Sequence, residues 1–257
     1  MPLTRYDAKD GIVSITMDRD EKRNAFSNAM TSEMVAHIDE AERSDARVVV
    51  LRANAGVKVW CSGHDLSELA PGAGFDFGQD PMEKLFERIQ ALPIPFISMV
   101  EGAVYAGGLL MTMVSDIVIA AEGSTLAMTA NKMGLPFPTG IYAYWLRVCG
   151  IHKAKELLFT ATSISAQDAY AAGLFNHVVP LADLERFTYE TIARPITLCS
   201  REGVADSKLQ LNLLAERIYL TSDDERAIEA DRNRLAQSPD FKRRVDALLN
   251  RIHGNKS

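Results

Sequence analysis

The sequence predicts an α/β fold with a parallel core and a helical C-terminal extension, on three observations. Through the first two thirds of the chain, β-branched runs alternate with amphipathic helical stretches, the pattern of strands joined by helical crossovers. From about residue 153 onward the periodicity is mostly helical. The length, 257 residues, suits one large domain or a domain with an appended piece, and a chain of that size buries roughly three quarters of the surface it exposes unfolded.

Each element has its own warrant. Residues 11–17 (GIVSITM) and 47–53 (RVVVLRA) are β-branched runs bounded by turn or charged residues, and read as strands. Between them, residues 28–43 place Met30, Met34, Ile38 and Ala41 on one helical face. Residues 70–78 (APGAGFDFG) read as a Gly/Pro-rich loop. A helix over 81–91 carries Met82, Leu85, Phe86 and Ile89, and Pro93 and Pro95 stop it. Residues 95–100 (PFISMV) and 116–121 (DIVIAA) read as strands flanking 107–114, a helix apolar all round and therefore buried. Ser165 with Asp168, and Thr221 with Asp224, fit capping boxes. Ser238–Pro239 is a helix start. The expected division is a core over residues 1–195 and a helical region over 196–257.

Composition excludes several classes. With 47% apolar and 24% charged residues the chain is globular rather than disordered. A net charge of −6 argues against a general nucleic-acid binder, which needs a broad basic face. Cys61, Cys149 and Cys199 are odd in number, far apart and without ligand spacing, so neither a disulfide framework nor a metal site is expected. The reading is a reduced, cytoplasmic protein. The N-terminus has no apolar core for a signal peptide. The longest uncharged stretches, 102–115 and 133–146, are too short and too rich in Gly or Pro to span a membrane.

Some apparent motifs carry nothing. Gly72, Gly74 and Gly78 have GxGxxxG spacing, with no preceding strand and no helix opening on them. Ser62, His64 and Asp65 are the residue types of a hydrolase triad, but neighbours so close in sequence rarely converge; Asp65 reads instead as a cap after a strand. His37, His152, His177 and His253 are isolated.

Two segments carry chemistry. In residues 60–69 (WCSGHDLSEL) a strand ending near Val59 turns at Ser62–Gly63 and opens a short helix. In residues 100–116 (VEGAVYAGGLLMTMVSD) the chain turns at Gly102, and Ala106-Gly107-Gly108 enters the apolar helix. The first N–H groups of a helix lack internal partners and sit at its positive end, and small residues there admit a ligand oxygen.

As a pair these segments resemble the enoyl-CoA hydratase/isomerase (crotonase) superfamily. The likeness rests on Ser62-Gly63-His64-Asp65-Leu66, then Gly102-Ala103-Val104-Tyr105-Ala106-Gly107-Gly108, and then Asp116. Lys22-Arg23-Asn24-Ala25-Phe26 matches the family's basic segment near bound CoA, and residues 160–173 a later family stretch. The resemblance covers about residues 11–180. It implies a spiral of ββα units with a C-terminal region used for homotrimer or dimer-of-trimers assembly. The substrate it implies is an acyl-CoA, with no cofactor beyond that CoA. It also implies stabilisation of a thioester enolate by the backbone N–H groups of His64 and Gly107, an oxyanion hole. Arg23, Ala25, Ser62, Asp65, Leu66, Tyr105, Leu110 and Ala130 are the substrate-side residues it implies.

Departures from the pattern choose among reactions. Family hydratases carry two catalytic glutamates; the matching positions here are Leu110 and Ala130, which move no proton. Decarboxylation of a malonyl-type thioester needs the enolate hole and no carboxylate base. The segments SGHDLSEL, ISMVEGAVYAGG, STLAMT and GLPFPTGI are most similar to the methylmalonyl-CoA decarboxylase branch, with Glu101 and His64 part of that likeness. That branch typically keeps a glutamate at the Leu110 position and a tyrosine where Phe137 stands. Three readings of Phe137 stay open: desolvation alone drives the reaction, Tyr142 or Tyr105 substitutes, or the substrate differs. The expected function is decarboxylation of a methylmalonyl-type CoA, with His64, Gly107 and Phe137 at the reacting centre. The alternatives are a hydratase, isomerase or thioesterase with rearranged residues, and a non-catalytic acyl-CoA-binding paralogue.

Overall fold

The computed structural model describes residues 2–68, 80–135, 137, 139–215, 223, 226, 229–230, 233–234 and 237–254. The glycine-rich stretch 70–78 and the Thr221–Asp224 capping pair lie outside the described residues.

The chain begins with a hairpin, β1 (Thr4–Lys9) and β2 (Ile12–Met17), turning at Asp10–Gly11. Helix α1 (Asn28–Arg43) follows, started by the Ser27 hydroxyl accepting from the Met30 N–H at 3.2 Å. It buries Met30, Met34, Ile38 and Ala41, the face its periodicity predicts. Strand β3 (Val48–Ala53) then pairs parallel with β2. Next come β4 (Val59–Cys61), α2 (Pro81–Ala91), β5 (Phe96–Val100), β6 (Ala103–Tyr105), α3 (Gly107–Val114), β7 (Ile117–Ala121) and β8 (Thr125–Ala127).

These strands form two sheets. One has six strands in the order β1-β2-β3-β5-β7-β10, where β10 is His177–Val179. The other has four, β4-β6-β8-β9, where β9 is Ile164–Ser165. Among the described residues, only the pairs β1–β2 and β8–β9 are antiparallel. Successive turns of chain (β3/β4, β5/β6, β7/β8) give one strand to each sheet, which is the α/β spiral of ββα units. β5 is buried throughout and β3 nearly so, as central strands of a parallel sheet covered on both faces must be. One face carries the main core, where α1, α2 and α3 pack. The other carries Val48, Val50, Ile97, Met99 and Ile119 against Leu184 and Ala193. Every residue of α3 is buried.

The later chain runs through α4 (Thr139–Thr160), α5 (Ala166–Ala171), α6 (Leu181–Arg186), a π-helical turn over Phe187–Ala193, α7 (Arg194–Leu198), α8 (Arg201–Ala215) and α9 (Pro239–Gly254). α5 opens on the Ser165–Asp168 capping box. The Ser238 hydroxyl accepts from the Phe241 N–H at 3.1 Å at the start of α9.

One expectation needs correction: the strand expected to end near Val59 instead begins there and runs on to Cys61, so that the chain turns at Ser62–Gly63 directly after it. The stretch after residue 153 is mostly helical as expected, with the short strands β9 and β10 set between its helices. β1, β6 and β8 carry no legible signal: β1 has polar residues on both faces and an exposed pattern, and the others are three residues long.

Two ties hold the C-terminal helices. Lys208 of α8 is buried and reaches Asp116 at 2.7 Å and the carbonyls of Ile89 and Ile94. Phe241, Val245 and Leu249 of α9 pack with Leu66 and Leu135.

Candidate active site

The site is built where four separated segments meet. The strand-to-turn segment after β4 runs alongside residues 22–26: the Ser62 N–H donates to Arg23 O at 3.0 Å, Phe26 N–H to Gly63 O at 2.7 Å, and Asp65 N–H to Phe26 O at 2.8 Å. Phe26 and His64 are thus a parallel bridge. In such a ladder the two residues flanking His64 face Phe26, and the His64 N–H points away from it. Gly63 has φ +89°, and a Cβ there would lie 2.7 Å from the Gly107 nitrogen. The two glycine turns therefore touch, which only the missing side chain permits.

The second turn shows the same economy of space. Gly102 has φ +88° and abuts the Lys58 carbonyl, where a Cβ would come within 2.7 Å. Ala106 holds φ +46° at the N-cap of α3, a conformation non-glycine residues adopt at a cost of about 1–3 kcal/mol and which clusters at functional sites. A Cβ on Gly108 would lie 2.8 Å from Cys61 Cβ. Burial pushes the Cys61 thiol up to about 12, so it remains an uncharged packing group.

His64 and Gly107 both line one cavity of about 430 Å³. Of the residues singled out from the sequence, Ser62, His64, Leu66, Gly107, Leu110, Ala130 and Phe137 all line it. The others stand elsewhere. Arg23 lines a separate pocket of about 540 Å³ with Asp20 and Lys58. Ala25 is buried, its carbonyl accepting from Arg19 Nη1. Asp65 pairs with Arg19 at 2.7 Å and caps the following turn by accepting from the Ser67 N–H at 3.0 Å. Tyr105 and Tyr142 are not among the lining residues; Tyr142 sits edge-on to Phe137 at 6.1 Å. Burial raises the Tyr142 phenol above its ordinary value. Glu101 accepts from the Gly56 N–H at 2.8 Å and is also outside the lining. No hydrolase triad forms: the His64 ring pairs with Asp80 rather than Asp65.

Sequence reasoning missed Met82, Thr129, Lys132, Arg244 and Arg251 on the cavity wall. Arg244 and Arg251 share one face of α9 with Ala247, two turns apart, but nothing local says that this face closes a cavity. Arg244 Nη1 donates to the Lys132 carbonyl at 3.2 Å, fastening α9 to the rim. Among the described residues, the lining holds three cationic side chains and no carboxylate. Backbone donors at a helix N-terminus and cations across an apolar pocket suit an anionic or polarised oxygen ligand.

Residues 7–231 match the enoyl-CoA hydratase/isomerase family model. The chain belongs to the enoyl-CoA hydratase/isomerase (crotonase) family. It is 36% identical to methylmalonyl-CoA decarboxylase of Escherichia coli (strain K12) over 246 residues, 95% of this chain and 94% of that protein. It is 36% identical to the human mitochondrial enoyl-CoA hydratase domain-containing protein 3 over 203 residues, 77% of this chain and 66% of that one. A solved methylmalonyl-CoA decarboxylase in complex with 2-nitronate-propionyl-CoA superposes with a TM-score of 0.93 at 34% identity, covering 97% of this chain and 96% of that one. This crotonase is therefore similar throughout its length to CoA-thioester-processing relatives, and its spiral matches theirs.

Proposed function

We propose that this crotonase-family enzyme binds a CoA thioester, stabilises its enolate with the backbone N–H groups of His64 and Gly107, and decarboxylates a malonyl-type substrate such as methylmalonyl-CoA. The observation that carries the choice of reaction is the cavity wall. Leu110, Ala130 and Phe137 line it, and among the described residues no carboxylate does. Hydration of an enoyl thioester needs positioned acid–base groups. Decarboxylation needs none to start: the C–C electron pair moves into the thioester, the charge lands on the oxygen, and CO2 leaves. Fixed donors in a dry cavity stabilise that charge as it develops. The substrate carboxylate, set against Leu110 and Phe137, loses hydration that neutral CO2 does not need. The likeness to methylmalonyl-CoA decarboxylase of Escherichia coli supports the same reading.

The proposal extends to assembly and place. A homotrimer or a dimer of trimers is supported by the exposed leucines Leu198, Leu209, Leu211, Leu213 and Leu214 on α7 and α8, more apolar surface than a helical stretch leaves in water without a partner. A cytoplasmic location is supported by three free cysteines.

The test is a comparison of two reactions: CO2 release from methylmalonyl-CoA and hydration of crotonyl-CoA. Decarboxylation is expected to exceed hydration by roughly 10²-fold or more, the least that missing acid–base groups cost. Hydration with a kcat near the ~10 s⁻¹ common among enzymes would overturn the reading.

A further inference from the structure

We infer that the His64 side chain supplies the proton that quenches the enolate, and that Asp80 is the positioning residue that holds it ready. This rests on the enolate chemistry proposed above, and it gives the side chain of His64 a task separate from that of its backbone.

The geometry is a dyad at the cavity wall. His64 lines the cavity and its side chain is 23% exposed, whereas that of Asp80 is 4% exposed. Asp80 Oδ1 lies 3.0 Å from His64 Nε2 and also accepts from the Met82 N–H at 3.0 Å, capping α2. The carboxylate is thus locked by the helix it starts, and it fixes the ring in turn. A carboxylate on one ring nitrogen holds an imidazole in one orientation. Met82 completes the arrangement: a Cβ on Gly107 would meet its sulfur at 2.9 Å, so α2 carries both the His64 partner and the packing against the oxyanion turn.

The other lining groups serve less well. Arginine does not give up its proton, Ser62 and Thr129 offer neutral hydroxyls, and lysine, the type of the remaining lining cation Lys132, is a residue type whose charge changes far above neutral pH. Histidine is the residue type whose charge changes nearest neutral pH, and among the described lining residues His64 alone is of that type. The step balances. After CO2 departs with the C–C bond broken, the enolate oxygen returns its electron pair to re-form the carbonyl. The α-carbon takes a proton as an imidazolium N–H bond breaks. The neutral ring then recovers a proton from water.

Decarboxylation of methylmalonyl-CoA in D2O tests this, because a fixed donor delivers deuterium to one face of the α-carbon. The variants are His64→Gln, which keeps the backbone N–H, and Asp80→Asn, which still caps a helix but bears no charge. Folding is checked by circular dichroism. For wild type, propionyl-CoA with deuterium of one hand is expected. Both variants are expected to lose that single hand, with turnover down about 10²-fold for His64→Gln. A merely structural role for Asp80 would alter turnover without altering the hand. Equal amounts of both hands from wild type, or an unchanged single hand from the two variants, would overturn the inference while leaving the decarboxylase reading intact. Should wild type release no CO2, that reading fails instead. The inference is then decided by deuterium exchange at C2 of propionyl-CoA: exchange by wild type that both variants lose upholds it, and no exchange by wild type overturns it.

Discussion

At Gly63 two demands coincide. The residue holds φ +89°, and its α-carbon lies against the first N–H of α3. Gly63→Ala puts a methyl group 2.7 Å from the Gly107 nitrogen, which, on the proposed mechanism, displaces one donor from the thioester oxygen. Turnover is expected to fall about 10²–10³-fold, the loss that follows removal of an oxyanion donor, in a protein that circular dichroism shows to be folded. Leu110 poses the opposite question, because it lines the cavity where family hydratases carry a glutamate. On the proposed decarboxylation, Leu110→Glu would set a second carboxylate beside that of the substrate. Two like charges about 5 Å apart at an effective dielectric of 20 repel by roughly 3 kcal/mol, so CO2 release should slow about 10²-fold. An unchanged rate would show that the substrate carboxylate lies elsewhere. Glycines 63, 102 and 108 were legible in the sequence because close approach to neighbouring backbone leaves no room for a Cβ. Lys132 and Arg244 were not, because a solvated cation and one facing a cavity have the same letter.

Among the elements, the turn after β4 is held by charge. Asp65 is desolvated, which alone would raise its pKa, but hydrogen bonds from Ser67 and Arg19 outweigh that and hold the carboxyl below its ordinary value of 3.8. A carboxylate whose folded pKa is depressed stabilises the fold fully above its unfolded pKa and loses that contribution as pH falls through the folded value. Urea midpoints of wild type should therefore drop steeply below about pH 4, and those of Asp65→Asn less steeply over the same window. Parallel slopes would show that Asp65 is not coupled to folding. α8 is held differently, by Lys208 on Asp116. Burial lowers the Lys208 pKa and raises that of Asp116, each opposed by the other's charge. Asp116 keeps 24% of its side chain exposed, so the larger loss in Lys208→Met is the donor to the Ile89 and Ile94 carbonyls, and unfolding free energy should fall by roughly 1–3 kcal/mol, the cost of leaving buried acceptors unsatisfied. Long periodic elements such as α1 and α2 were readable from spacing alone, and α3 from its apolar run. β6, β8, β9 and β10 were not, because strands of two or three residues cannot show alternation and are fixed by the sheet they join.

At the scale of the whole molecule, the cavity is a product of the spiral. Its wall draws on the turn after β4, the start of α3, the segment after β8, and α9, which lie far apart in the chain and meet only when two sheets wind together. Such convergence is invisible to local pattern, and only the family likeness of the two glycine turns announced it. The same scale governs assembly. On α8, Leu209 and Leu213 face one side and Leu211 and Leu214 another, at helical spacings of four and three, and all four are exposed. A helix buries one apolar stripe against its own domain. A second stripe in water has no intramolecular use and favours a neighbouring subunit. Sedimentation of the full chain should therefore report a trimer or hexamer rather than a 28.3 kDa monomer. The double variant Leu211→Glu/Leu214→Glu should shift that species toward monomer at micromolar concentration, because charges at the centre of an apolar contact are left unpaired on desolvation. Circular dichroism should stay near wild type, since both side chains already face solvent in the isolated fold. A wild type that sediments as a monomer would leave the leucines unexplained by assembly, and a double variant that keeps the wild-type mass would move the interface to another face of the spiral.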